Sequence, residues 1–110
     1  MPADSAFVPA HWHLEVGNTV LVHTRRARLL PADADRTIDA LRSLPVTVDA
    51  ETGSQALNAT FLMAVKHALT LYDAAYLELA LRLHLPLATF DKTLRRAADS
   101  AGVPLVNPPA

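Results

Sequence analysis

Hydrophobic and polar residues along the chain follow an alternation of strand-like and helix-like segments. Short runs of strand length, rich in apolar residues, stand at Phe7–Val8, Val46–Asp49, Leu87–Phe90 and Val103–Val106. Around them, apolar residues recur at helical spacing, which predicts helices over about 10–28, 32–44, 54–68, 72–84 and 92–101. This alternation is typical of an α/β fold, with a parallel sheet covered by helices on both faces.

Two of these helices carry enough apolar residues to predict burial. The helix over 72–84 is apolar nearly all round, so we expect it to lie largely buried against the sheet. Glu78 stands four residues before Arg82, the favourable order for an exposed pair, and this pair is predicted to be its only solvated strip. In the helix over 54–68, Phe61 and Met63 are interpreted as ordinary core residues.

The lengths of a helix and the following strand predict that Asp73 and Asp91 meet. About 12 helical residues advance ~18 Å, and the return from Leu85 to Asp91 covers about 20 Å. The two carboxylates should therefore lie together at the carboxyl edge of the sheet, where open α/β folds bind ligands. Two converging acids suggest a divalent cation. The structural alternative is that Asp73 complements a helix dipole and Asp91 caps the next helix.

Glu15 and Asn18 form a polar pair on an otherwise apolar helix. They stand three residues apart, so they share one face of the helix predicted over 10–28. From spacing alone, this face is either a solvated strip or part of a site.

Arg25, Arg26 and Arg28 cluster where the same helix is predicted to end. Basic side chains near a helix C-terminus stabilise the helix dipole, which is the structural interpretation of this cluster. The functional alternative is a patch that contacts RNA phosphates or receives an acidic partner.

The composition of the chain limits the kinds of functional site that it can contain. The 110 residues suffice for one domain with one core, and 51% of them are hydrophobic. Without cysteine there are neither disulfides nor thiolate ligands, which is compatible with a reducing cytoplasm, and no apolar stretch is long enough to span a membrane. The five histidines are scattered, which argues against zinc, and no glycine-rich phosphate loop is present. A net charge of −1 excludes nucleic-acid binding by bulk attraction.

Two long segments resemble PIN-domain ribonucleases, in particular VapC-like toxins. YDAAYLELALRLHLPLATFD, continuing as KTLRRAADSAGVPLV, resembles the C-terminal half of that family, and FVPAHWHLEVGNTVLVHTRRARL resembles its second strand and helix. The resemblance implies that Glu15, Asp73 and Asp91 are catalytic, metal-binding acids. It also implies that Asn18 and Thr89 support them.

The resemblance implies a fold and an activity as well. The fold would be a PIN-like α/β/α sandwich with a mostly parallel sheet. The activity would be that of a toxin-type endoribonuclease, hydrolysing RNA phosphodiester bonds with Mg²⁺ or Mn²⁺. The implied partners are the RNA substrate, a cognate antitoxin and a second copy of the chain, in the cytoplasm and away from membranes.

The chain departs from the family pattern at its start. The family opens with a central strand that ends in a metal-binding Asp, and nothing in MPADSA resembles such a strand. We therefore expect residues 1–110 to be a single PIN-like domain lacking its first strand, with open sheet edges and low activity. This departure also keeps open a disabled PIN-like module, which binds an antitoxin or RNA without cleaving it.

Overall fold

The computed structural model describes residues 6–106. The polar segment 1–5, in which no strand was expected, and the tail 107–110 lie outside the described residues. Within residues 6–106 the chain forms six helices and a two-stranded parallel sheet, which confirms the α/β prediction. The chain divides into two units, one ending at Val48 and one beginning at Asp49. The sandwich and the single domain stay predictions.

The first unit consists of two strands and two helices. The elements are β1 (Ala6–Val8), α1 (Trp12–Arg25), α2 (Pro31–Arg42) and β2 (Val46–Val48). The two strands pair in parallel, with Ala6 opposite Val46 and Val8 opposite Val48. Parallel strands need a long crossover between them, and α1 and α2 provide it.

The second unit contains four helices. They are α3 (Thr52–Ala56), α4 (Ala59–His67), α5 (Leu71–Leu83) and α6 (Lys92–Ala101). The prediction of one continuous helix over 54–68 is wrong, because the backbone leaves the helical region at Asn58, with φ −129° and ψ −112°. Asn is disfavoured inside helices and favoured at their N-caps, and Asn58 is the N-cap residue of α4.

The two C-terminal strands are much shorter than expected. As far as the structure describes these segments, up to Val106, Leu87 and Leu105 pair in a single parallel bridge. The Leu87 N–H donates to the Pro104 carbonyl at 2.9 Å, and the Val106 N–H donates to the Leu87 carbonyl at 2.9 Å. The parallel direction is as predicted, but the strands over 87–90 and 103–106 are wrong in extent.

Small and branched apolar residues from α5, α6 and the bridge form the core of the second unit. Its buried members are Leu77, Ala80, Leu87, Leu94, Ala97, Ala98 and Val103. Met63 packs against this cluster, as expected, whereas the core assignment of Phe61 is wrong, since 52% of it is exposed. No helix within residues 6–106 is both long and apolar enough to cross a bilayer.

Candidate functional site

Asp73 lies in the first turn of α5, behind a threonine cap. The Thr70 hydroxyl oxygen accepts a hydrogen bond from the Asp73 N–H at 3.1 Å, so the helix start does not use the aspartate side chain. The Asp73 side chain is half-buried, and among residues 6–106 no hydrogen bond or ion pair engages its carboxylate. This acid stands at the positive end of the α5 dipole, as the structural alternative supposed.

Asp91 is the N-cap residue of α6. Its Oδ2 accepts a hydrogen bond from the Leu94 N–H at 2.8 Å, which confirms the capping interpretation. The cap uses one carboxylate oxygen, and Oδ1 remains for another ligand.

The residues around Asp91 fix its backbone. The Thr89 hydroxyl oxygen accepts from the Asp91 N–H at 3.1 Å, and the Thr89 carbonyl accepts from Arg95 Nη1 at 2.8 Å. Thr89 and Arg95 thus tie the loop after the Leu87 bridge to the first turn of α6. Sequence reasoning named Thr89 but missed Arg95, although its place one helical turn after Asp91 was a usable signal.

Asp73 and Asp91 belong to the same unit, and their helices, α5 and α6, contribute to the same hydrophobic core. Leu77 and Ala80 of α5 lie in the same buried cluster as Leu94 of α6. Within residues 6–106 no group of three or more acidic or imidazole side chains is placed to hold a metal ion. The convergence of the two carboxylates on one cation stays a prediction.

Glu15 and Asn18 both lie on α1, in the first unit. Glu15 is half-buried, and its Oε1 lies 3.2 Å from His11 Nε2. Asn18 is exposed. Glu15 belongs to the first unit, whereas Asp73 and Asp91 belong to the second, and a joint role of the three acids stays a prediction.

The prediction of a solvated Glu78–Arg82 strip is wrong. Glu78 is only 4% exposed, and its carboxylate binds the half-buried Arg82 guanidinium. Asp49, which is 8% exposed, binds the other side of the same guanidinium, and Glu51 completes the group. We call Asp49, Glu51, Glu78 and Arg82 the Arg82 cluster.

Arg82 uses all of its donors in this cluster. Nε and Nη2 donate to the two oxygens of Glu78 at 2.8 and 3.0 Å. Nη2 and Nη1 donate to Asp49 at 2.6 and 3.2 Å, and Nη1 donates to Glu51 at 3.1 Å. These five contacts match the five N–H groups of a guanidinium. Two forked pairs on one arginine therefore tie the segment before α3 to the end of α5.

The Arg82 cluster is a structural element, away from the predicted metal acids. Arg82 stands nine residues after Asp73 on α5, about 14 Å along the helix axis. A signal in the sequence was available, because Glu78 interrupts an otherwise apolar helix and a buried carboxylate needs a partner. The partners Asp49 and Glu51 are more than 25 residues away in sequence, and no local pattern points to them.

The pKa of Asp49 gives a pH dependence to this cluster. Burial raises the pKa of the Asp49 carboxyl, but hydrogen bonds from Arg82, the Glu51 N–H and Thr52, with the Arg82 charge, together lower it below its ordinary value. The unfolded chain then binds more protons than the folded one at acid pH, so stability falls as the pH falls. Glu51 and Glu78 bind the same guanidinium.

We expect the free energy of unfolding to drop between about pH 5 and about pH 2, more steeply in the wild type than in Asp49→Asn. Urea titrations at several pH values measure this difference. Asp39→Asn is the matched control, because Asp39 pairs with Arg42 on the exposed surface of α2. Equal pH dependence of the wild type and Asp49→Asn would contradict the assignment.

Arg25, Arg26 and Arg28 are exposed at the C-terminal end of α1, as expected.

The chain was compared with protein families and with known proteins. No protein-family model matches the chain. The chain is similar to Ribonuclease VapC3 of Pyrobaculum aerophilum, with 32% identity over 80 residues, covering 73% of this chain and 61% of the relative. The chain thus spans less than two thirds of that relative's length. The chain is therefore similar to a ribonuclease of the VapC type over most of its own length.

Proposed function

We propose that this protein is a toxin-type PIN-domain ribonuclease, which hydrolyses RNA phosphodiester bonds with the help of Mg²⁺ or Mn²⁺. The similarity to Ribonuclease VapC3 carries this proposal. Asp73 and Asp91, each at the first turn of a helix in the same unit, support it. The proposal includes a PIN-like sandwich fold, a cognate antitoxin, a homodimer and a cytoplasmic location.

The available donor atoms fit a hard divalent cation. The Asp73 carboxylate and the Oδ1 atom of Asp91 are carboxylate oxygens that no hydrogen bond within residues 6–106 uses. Oxygen donors without thiolate or clustered imidazole suit Mg²⁺ or Mn²⁺, which keep several waters and bridge to phosphate. Glu15 would complete this set of ligands.

Asp73, Asp91 and Glu15 would hold such a cation, which would polarise the phosphoryl oxygen and lower the pKa of a bound water. The protein's own residues orient the participants. Thr89 and Arg95 hold the backbone at Asp91 in place, which fixes one ligand carboxylate.

We expect the protein to cleave RNA in Mg²⁺ or Mn²⁺ and to stop cleaving in excess EDTA, because the proposed mechanism takes its activated water from the bound cation. Gel analysis of a labelled RNA measures the products. Restoring Mg²⁺ should restore cleavage, and Mg²⁺ without protein is the control. Cleavage that persists in excess EDTA would overturn the metal mechanism.

A second candidate function is a PIN-like module that binds RNA or an antitoxin without cleaving. The observation that favours it is the structural use of Asp91, whose Oδ2 already caps α6. Tight RNA binding in Mg²⁺ with no product on long incubation would support this candidate over the ribonuclease.

A further inference from the structure

Three arginines occupy the turn that ends α1, and all three are exposed. Arg25 is the last residue of α1, Arg26 follows it, and Arg28 comes after Ala27. Among residues 6–106 none of the three guanidinium groups has a hydrogen-bond or ion-pair partner. These three residues, which we call the arginine patch, concentrate positive charge on a protein whose net charge is −1.

Four other arginines of the chain are engaged. Arg36 and Arg42 each pair with an aspartate three residues earlier on α2. Arg82 binds three carboxylates, and Arg95 donates to a backbone carbonyl. The arginine patch therefore differs from these four arginines, since no carboxylate within residues 6–106 forms an ion pair with it.

The end of α1 does not need these side chains as caps. Backbone N–H groups of the turn already donate to the carbonyls of Val22, His23 and Thr24, at 3.0, 2.9 and 3.1 Å. What remains of the structural interpretation is an interaction with the helix dipole, which contributes about 0.3–1 kcal/mol per exposed cation. The dipole therefore accounts for only a small stabilisation by each of the three arginines.

The backbone of the turn is unusual for its sequence. Ala27 adopts a left-handed conformation with φ 55°, which costs a non-glycine residue roughly 1–2 kcal/mol. It bends the chain between Arg26 and Arg28, and α1 consequently ends three residues earlier than the sequence predicted. The three arginines thus belong to an exposed turn rather than to one helix face.

We propose that the arginine patch binds the phosphate backbone of an RNA strand without reading its sequence. Guanidinium groups match phosphate oxygens with two parallel hydrogen bonds and are weakly hydrated. The side chain between Arg26 and Arg28 is the methyl group of Ala27, which offers no hydrogen-bonding group to recognise a base. This inference rests on the proposed function, because the RNA held here is the substrate of the nuclease.

The test compares RNA binding by the wild type and by Arg25→Gln/Arg26→Gln/Arg28→Gln. Fluorescence anisotropy with a labelled single strand of about 12 nucleotides is measured in EDTA, so that cleavage plays no part. Between about 50 and about 200 mM KCl, the slope of log K against log salt should fall by about 2 for three lost contacts. Affinity should fall on the order of 10- to 100-fold.

The matched control is Arg36→Gln/Arg42→Gln/Lys66→Gln, which removes the same charge from other exposed positions. We expect the slope of the control variant to stay at the wild-type value. If the slope fell equally in the control, RNA binding would depend on total charge rather than on the arginine patch, and the proposal would fail. The Arg→Lys triple variant should retain the wild-type slope, because a phosphate contact requires the charge.

The remaining outcomes separate this inference from its premise. If the salt slope of the Gln variant equals that of the wild type, the proposal that the arginine patch binds RNA fails, even if cleavage of RNA is established. A wild type that binds RNA through the patch but never cleaves it supports the patch and overturns the nuclease. If labelled poly-glutamate binds through the three arginines and RNA does not, the surface receives an acidic protein, and the proposal fails.

Discussion

Arg82→Met is expected to lower the free energy of unfolding by about 3 kcal/mol. Removing one member of a buried ion pair typically costs 3–5 kcal/mol, because the partner charge stays buried without compensation. Here three carboxylates lose their shared cation, and Asp49 and Glu78 are both nearly inaccessible to water. Methionine keeps the apolar stem of the side chain, so the loss reports on the charge and its hydrogen bonds.

Urea unfolding followed by circular dichroism measures this loss. The control is Arg42→Met, because Arg42 and Asp39 are each about three quarters exposed and the Arg42–Asp39 contact is 3.5 Å long. Exposed pairs of this kind contribute about 0–1 kcal/mol. If Arg82→Met and Arg42→Met lowered the free energy of unfolding by the same small amount, the Arg82 cluster would stabilise the protein no more than an exposed ion pair does.

Helix positions are the part of this fold that the sequence predicts well. α5 and α6 begin and end within one residue of the predicted bounds, because their signals are local. Thr70 and Asp91 cap the two starts, and Gly102 adopts φ 77° after the end of α6. Each of these signals depends on residues within four positions of one another.

Two errors, in the Arg82 cluster and in the last two strands, arise where distant residues decide the structure. The Arg82 cluster joins residues up to 33 positions apart, so a helix wheel can show that Glu78 and Arg82 are neighbours but not that Asp49 binds the same guanidinium. The same reason explains why the last two strands shrink to the Leu87–Leu105 bridge. The length of a strand depends on the strands that pair with it, and the alternation of apolar and polar residues within one segment does not identify those partners.

In the candidate site, too, features set by nearby residues are predicted from the sequence, whereas features set by distant residues are not. The sequence correctly places Asp91 at a helix cap and Asp73 in a first turn, since both are local properties. Their joint binding of a cation is a prediction about side chains separated by a helix and a bridge. It therefore has to be tested by chemistry that distinguishes a ligand from a cap.

Replacing either aspartate by asparagine makes that distinction. Asn is as good an N-cap residue as Asp, so Asp91→Asn should keep the hydrogen bond to Leu94 and the start of α6. Asp73→Asn loses only an interaction with the α5 dipole, which contributes about 0.3–1 kcal/mol. Both variants should therefore unfold within about 1 kcal/mol of the wild type.

Cleavage should respond very differently. We expect Asp73→Asn and Asp91→Asn each to reduce Mg²⁺-dependent RNA cleavage by about 100-fold or more, since even the outer partners of metal ligands cost 10- to 100-fold when removed. Asp99→Asn, an exposed change on the same helix as the Asp91 cap, is the control and should cleave normally. Asp91→Ala adds a second contrast, because it should lose both cleavage and about 1 kcal/mol of stability. Full cleavage by stable Asp73→Asn and Asp91→Asn proteins would show that the two acids cap and orient helices and do no more.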